Sequence, residues 1–174
     1  MLFTAKGPVH TGAATNRTEP DVSFKNLLLA ALLLVLPATG RADLLTVATD
    51  DRQIVYTEDS LAALPWVTIR TANDYIEDSA AFSGPLLRDV LAPLDLARGT
   101  VLRAVALNDY SVDIPLDDAL DYDVIVARTM NGTPMRIRDK GPLWLMYPLD
   151  DHFDLTGTSV NHKLIWQLVQ LVAR

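Results

Sequence analysis

Cysteine is absent from all 174 residues. Its absence excludes disulfide bonds, thiolate nucleophiles, thiolate metal ligands and iron–sulfur clusters. Histidine occurs only three times, without the paired spacing of zinc enzymes. Bases are in the minority, 15 Lys and Arg against 22 Asp and Glu, for a net charge of −7. A chain of that sign is unsuited to nucleic acid or to anionic membranes at large. There is no Gly-rich phosphate loop and no nucleophile elbow. Long apolar runs are missing too. The longest, LLLAALLLVL at 27–36, is far short of the roughly 20 residues that span a bilayer.

That short run has the flanks of a secretory signal peptide. Lys25 precedes it, and Pro37 and then Ala38-Thr39-Gly40-Arg41-Ala42 follow. Cleavage is expected after Ala42, with Gly40 as the alternative. Residues 1–24 are polar and unpatterned, and they are set aside with the signal. The reading is an N-terminal extension and signal over 1–42, then one domain over 43–174, periplasmic or secreted. After cleavage it is not an integral membrane protein. Cleavage removes Glu19 and Asp21 but also Lys6, Arg17, Lys25 and Arg41, so the remaining domain is more acidic still.

Periodicity along 43–174 favours strands. Runs 44–49, 53–57, 66–71, 100–107, 110–114 and 123–129 read as strands, with Tyr110, Val112 and Ile114 sharing one face. Leu61–Leu64 reads as one helical turn stopped by Pro65. Ala72–Ala81 reads as a loop. Ser83-Gly84-Pro85 reads as the start of the longest helix, with Ser83 as N-cap and Leu86, Leu87, Val90, Leu91 and Leu94 at helical spacing. Leu116–Leu120 is a short helix with Asp117 and Asp118 at its start. Residues 160–166 are expected to be helical and 168–172 to be a closing strand. Many strands, few short helices and no βαβ rhythm give an α+β domain with a mixed, mostly antiparallel, barrel-like core.

The stretch 130–148, MNGTPMRIRDKGPLWLMYP, stands out. Asn131-Gly132 suits a type I′ hairpin turn, because both central residues need φ > 0. Pro134–Arg138 alternates like a strand, which would set Arg136, Arg138 and Lys140 on one face. Leu143–Tyr147 is an apolar run of buried-strand type. The three cations are candidates for cradling a phosphate, sulfate or carboxylate, or for neutralising nearby aspartates on a solvent face. Other clusters are weaker. Asp150-Asp151-His152-Phe153-Asp154 and Asp117-Asp118-Asp121-Asp123 read as solvated acidic segments rather than metal sites, lacking the spacing of a calcium loop. Ser111 with His162 lacks any supporting motif for a triad.

Five segments in order resemble one family. They are Phe82-Ser83-Gly84-Pro85-Leu86-Leu87 with Leu91, ALNDYSVDIPLDDAL, VIVARTMNGTPM, DKGPLWLMYP, and the closing Trp166–Val172. They resemble the oxidoreductase molybdopterin-binding domain, the sulfite-oxidase fold, and most of all its short exported single-domain members. The resemblance spans roughly Val67–Val172. It implies molybdopterin as the cofactor, bound near Arg70, Thr71, Asn108, Tyr110, Arg136, Arg138 and Lys140. It also implies a molybdenum-ligating cysteine after the early strand, at Ile69–Ala72, where Thr71 is the nearest equivalent. An arginine of the family pattern is here Trp144, and a histidine is here Lys140. These departures argue against ordinary molybdenum chemistry, since a neutral hydroxyl is a poor ligand for a soft metal.

The expectation is an accessory or sensory domain without catalytic residues or metal, binding a small anionic ligand or a protein partner. The alternatives are an active oxidoreductase holding its cofactor without cysteine, and a structural module that pairs through an exposed edge strand.

Overall fold

Short alternating runs, interrupted by Pro, Asn-Asp and Asn-Gly, favour many brief strands over long helices. The computed structural model describes residues 42–155 and 158–174. The extension and signal segment lie outside the described residues. The strands are β1 (Asp43–Ala48), β2 (Gln53–Thr57), β3 (Trp66–Thr71), β4 (Ala80–Pro85), β5 (Val101–Ala106) and β6 (Ser111–Pro115). They continue with β7 (Ile125–Ala127), β8 (Thr129–Met130), β9 (Thr133–Pro134), β10 (Trp144–Met146) and β11 (Leu168–Ala173). The helices are short: α1 (Glu58–Ala62), α2 (Leu87–Leu91), α3 (Leu116–Asp121) and α4 (Thr158–Asn161). Among the described residues no helix is long and apolar enough to cross a membrane.

Three sheets form. The largest has the order β2-β1-β11-β5-β6. Its centre is the last strand of the chain, β11, parallel to β1 and antiparallel to β5. Val47 aligns with Leu171, and Leu171 with Ala104, and all three side chains are buried. The second sheet has the order β3-β4-β8-β9 and the third pairs β10 with β7. That small sheet joins the other two. Leu86, just after β4, bridges to Ile125, and Trp144 bridges to Trp166 ahead of β11. Every strand pairing except β1–β11 is antiparallel. The α+β, mostly antiparallel expectation holds, but the sheets do not close into a barrel.

The core lies where the sheets meet. Trp144, Tyr147, Phe82, Leu143, Leu145 and Met146 are among its fully buried side chains. Burying each such side chain contributes about 1.5–3 kcal/mol. α1 begins three residues before the turn expected at Leu61–Leu64, because Thr57 caps it: Thr57 Oγ1 accepts from the Ser60 amide, and Ser60 Oγ accepts from the Thr57 amide.

Five further local expectations fail. The helix expected over 160–166 is Thr158–Asn161, and Trp166 forms a bridge with Trp144 instead. Ser83-Gly84-Pro85 does not open a helix. These residues end β4, and the helix is only Leu87–Leu91, with Leu86 as N-cap. Gly84 shows why: a Cβ there would lie 2.0 Å from the Val126 carbonyl oxygen, so β4 passes β7 at backbone contact. The loop expected to reach Ala81 ends earlier, because β4 begins at Ala80. The single strand expected over 123–129 is two, β7 and β8, which pair in different sheets. The strand expected at Pro134–Arg138 is a 3-10 turn at Ile137–Asp139, followed by Lys140 in the left-handed region at φ 68°. The 131–132 hairpin is as expected, with φ of 49° at Asn131 and 76° at Gly132.

Candidate functional site

Thr71 ends β3, and its side chain is fully buried. Its Oγ1 donates to the Ala72 carbonyl at 3.2 Å and accepts from the Leu149 amide at 3.1 Å. The hydroxyl therefore joins the end of β3 to the chain leaving β10. Next to it, the Asp150 carboxylate accepts from the Ala72 amide and from Ser79 Oγ. Arg70 is exposed, and its guanidinium reaches the Ser79 carbonyl at 3.5 Å.

The three cations do not share a face. Arg136 pairs with Asp139 at 3.0 Å, and Arg138 lies 3.7 Å from the same carboxylate. Their side chains are 67% and 70% exposed, so these are surface pairs worth about 0–1 kcal/mol each. Lys140 turns the other way. Its Nζ donates to the Tyr75 carbonyl at 2.8 Å and lies 5.3 Å from the centre of the Trp144 ring. Trp144 itself is buried, and its indole N–H donates to the Leu164 carbonyl at 3.0 Å.

A cavity of about 280 Å³ opens beside this group. Ala106, Asn108 and Tyr110 line it from the β5–β6 connection. His162, Leu164, Ile165 and Trp166 line it from the segment between α4 and β11, and Tyr75 closes it from the loop before β4. Tyr75 and Trp166 meet edge to face at 5.0 Å, and Trp166 meets Trp144 the same way at 6.3 Å. The Tyr75 hydroxyl donates to the Asn161 carbonyl at 3.2 Å. Asn108 holds the turn by accepting the Tyr110 amide at 3.3 Å. Tyr110 is half exposed rather than sharing the buried face of Val112 and Ile114.

Of the residues singled out in the sequence, Asn108, Tyr110 and His162 thus line one cavity, and Lys140 ties down its Tyr75 wall. Arg70, Thr71, Arg136 and Arg138 are not among its lining residues. Tyr75 and Trp166 carry most of the cavity's character. Tyr75 lay in a stretch that reads only as an acidic loop, while Trp166 belonged to the closing segment of the resemblance.

The acidic clusters are internally partnered. Asp117 and Asp121 pair with Arg98, Asp123 with Arg88, and Asp118 with Lys163. Asp154 accepts from the Tyr122 hydroxyl, which holds that carboxyl below its usual range and the phenol above its own. Among the described residues no group of three or more His, Asp or Glu side chains converges to hold a metal.

The comparisons bear on this arrangement. The family model for the oxidoreductase molybdopterin binding domain matches residues 44–150. The chain belongs to this family. The crystal structure of the sulfane dehydrogenase SoxCD from Paracoccus pantotrophus matches with a TM-score of 0.59 at 19% identity. That alignment covers 76% of this chain and 38% of the SoxCD chain, and it shows a shared fold. No curated protein matches.

Molybdenum of the family's cofactor does not fit the residues present. The sequence has no thiolate anywhere, and the Thr71 hydroxyl is closed in with both hydrogen bonds made inside the chain. Where the family resemblance puts an arginine, the Trp144 indole is buried and bonded. Where it puts a histidine, the Lys140 ammonium is held by Tyr75 and Trp144. A phosphate-bearing group is held most strongly by charge-assisted donors, and among the described residues no Lys or Arg lines the cavity.

Proposed function

We propose that this chain is an exported, non-redox member of the molybdopterin-binding family. It is a periplasmic or secreted domain that binds a small ligand and serves as an accessory or sensory module. The observation that carries this reading is the Thr71 hydroxyl, engaged by Ala72 and Leu149 in a chain without cysteine. Export is supported by the basic–apolar–small pattern over 25–42. The anionic-ligand version requires Arg136, Arg138 and Lys140 to converge. Two of them pair with Asp139 and the third with a carbonyl, which favours an uncharged ligand.

The test is to produce the full chain with its leader in cells that make the molybdenum cofactor and to isolate the exported form. Molybdenum is then measured by mass spectrometry and released pterin by fluorescence. The reading predicts both far below one per chain. Stoichiometric molybdenum contradicts it.

A further inference from the structure

The cavity has a size, a wall and a set of polar groups that together specify a ligand class. A pocket of ~150 Å³ already holds benzene. Pockets for drug-sized ligands start near ~300 Å³. At about 280 Å³ this one has room for one or two fused rings. Its wall is aromatic and held from behind: Trp166 packs edge to face on Tyr75 and Trp144, and Lys140 Nζ fixes the Tyr75 carbonyl. Such a preformed wall loses little freedom on binding. Ala106, Leu164 and Ile165 supply the apolar remainder.

A second, independent observation lies in the backbone. Among the described residues five non-glycine residues have positive φ, and three of them adjoin this cavity's walls: Asp109 at 65° lies between the lining residues Asn108 and Tyr110, Gln167 at 52° follows Trp166, and Lys140 at 68° holds the Tyr75 carbonyl. Gln167 and Lys140 are linked, since the Gln167 amide donates to the Lys140 carbonyl, and the Leu107 amide donates to the Gln167 carbonyl. Left-handed non-glycine residues persist where surrounding structure over-determines them, and they gather at ligand clamps. Charge narrows the class further. Among the described residues no Lys or Arg lines the cavity to meet an anion, and no carboxylate lines it to meet an organic cation. The lining side chains that can hydrogen-bond at the edge of a ring are Asn108, Tyr110 and His162.

We propose that this cavity is a binding site for a small uncharged aromatic compound of one or two fused rings with a hydrogen-bonding edge. The proposal rests on the non-redox reading and names the ligand class of that same site.

The probes are indole and p-cresol, with inorganic phosphate and choline as the charged alternatives. Calorimetric titration and thermal unfolding are run on the exported protein, and molybdenum is measured on the same preparation. Indole or p-cresol at a hundredfold excess over Kd is expected to raise Tm by about 10 °C. Tyr110→Ala removes a half-exposed ring and is expected to weaken binding about five- to tenfold. Ala106→Leu fills the cavity and is expected to abolish binding; the folded state of each variant is checked by its unfolding transition. Molybdenum-free, folded protein that ignores both rings overturns this proposal alone. So does binding of phosphate or choline in their place, or ring binding that Tyr110→Ala leaves unchanged. Stoichiometric molybdenum overturns the non-redox reading beneath it.

Discussion

Thr71→Val replaces a buried hydroxyl with a methyl group of nearly the same shape. Two hydrogen bonds go with it, from the hydroxyl to the Ala72 carbonyl and from the Leu149 amide to the hydroxyl. Ala72 is exposed, so its carbonyl regains a water. Leu149 is half buried, and its amide also donates to the Tyr147 carbonyl at 2.9 Å, so it keeps one partner when the hydroxyl goes. Losing one arm of a shared donor costs about 0.5–1.5 kcal/mol. The added methyl group returns up to about 0.8 kcal/mol by burial. The net expectation is a loss of up to about 1 kcal/mol, or a Tm lower by at most about 5 °C for a domain of this size. Thermal unfolding measures the total, and amide exchange at Leu149 reports the bond itself. Exchange there is expected to be slow in the wild type and faster in the variant. An unchanged or raised Tm, with Leu149 exchanging rapidly in the wild type, would refute the reasoning. The hydroxyl would then be free to serve a ligand.

Other substitutions probe the frame around the cavity. Gly84→Ala drives a Cβ to 2.0 Å from the Val126 carbonyl oxygen, against backbone atoms of Val126 and Ala127; a loss of about 3 kcal/mol or more is expected in denaturant unfolding, and a silent result would mean β4 and β7 are not in contact. Lys163→Met leaves Asp118 without its ion pair at a place where both side chains are less than a fifth exposed. It should cost about 3–5 kcal/mol, and replacing Asp118 and Lys163 together by apolar residues should cost less than the single change. Burial, and then the charge and hydrogen bond of Asp118, push the Tyr147 hydroxyl well above its ordinary value. The folded state thus holds that proton more tightly than the unfolded chain. Its contribution is complete below the unfolded value near ~10 and is lost as pH rises through the alkaline range. Denaturant midpoints should fall above about pH 10 in the wild type, and less steeply in Tyr147→Phe.

Much of the frame could be read from periodicity. β3 was expected over the residues it occupies, and β2, β5, β6, α3 and β10 lie within a residue or two of their expected bounds. The strands among them alternate or are wholly apolar, and β5, β6 and β10 run up to Pro or a polar turn pair. The failures come from tertiary context. Leu86 to Leu94 has true helical spacing, yet backbone pairing of Gly84 and Pro85 with β3 keeps the preceding residues extended. Arg136, Arg138 and Lys140 alternate in sequence, yet a 3-10 turn and a left-handed Lys140 send their side chains apart. The role of Thr71 depends on a partner 78 residues away, and no local pattern encodes it. The cavity draws on three separated segments for the same reason. Of its lining residues, Asn108, Tyr110 and Trp166 were marked in advance through the family's motifs, and His162 only as a candidate triad member.

The central claim is that the Thr71 position takes no molybdenum. Reconstitution in vitro tests it most directly: protein from cells lacking the cofactor is mixed with an excess of purified molybdenum cofactor, passed through gel filtration, and assayed for metal. The account predicts folded protein eluting with negligible molybdenum at any excess. Retention of one molybdenum per chain would contradict it.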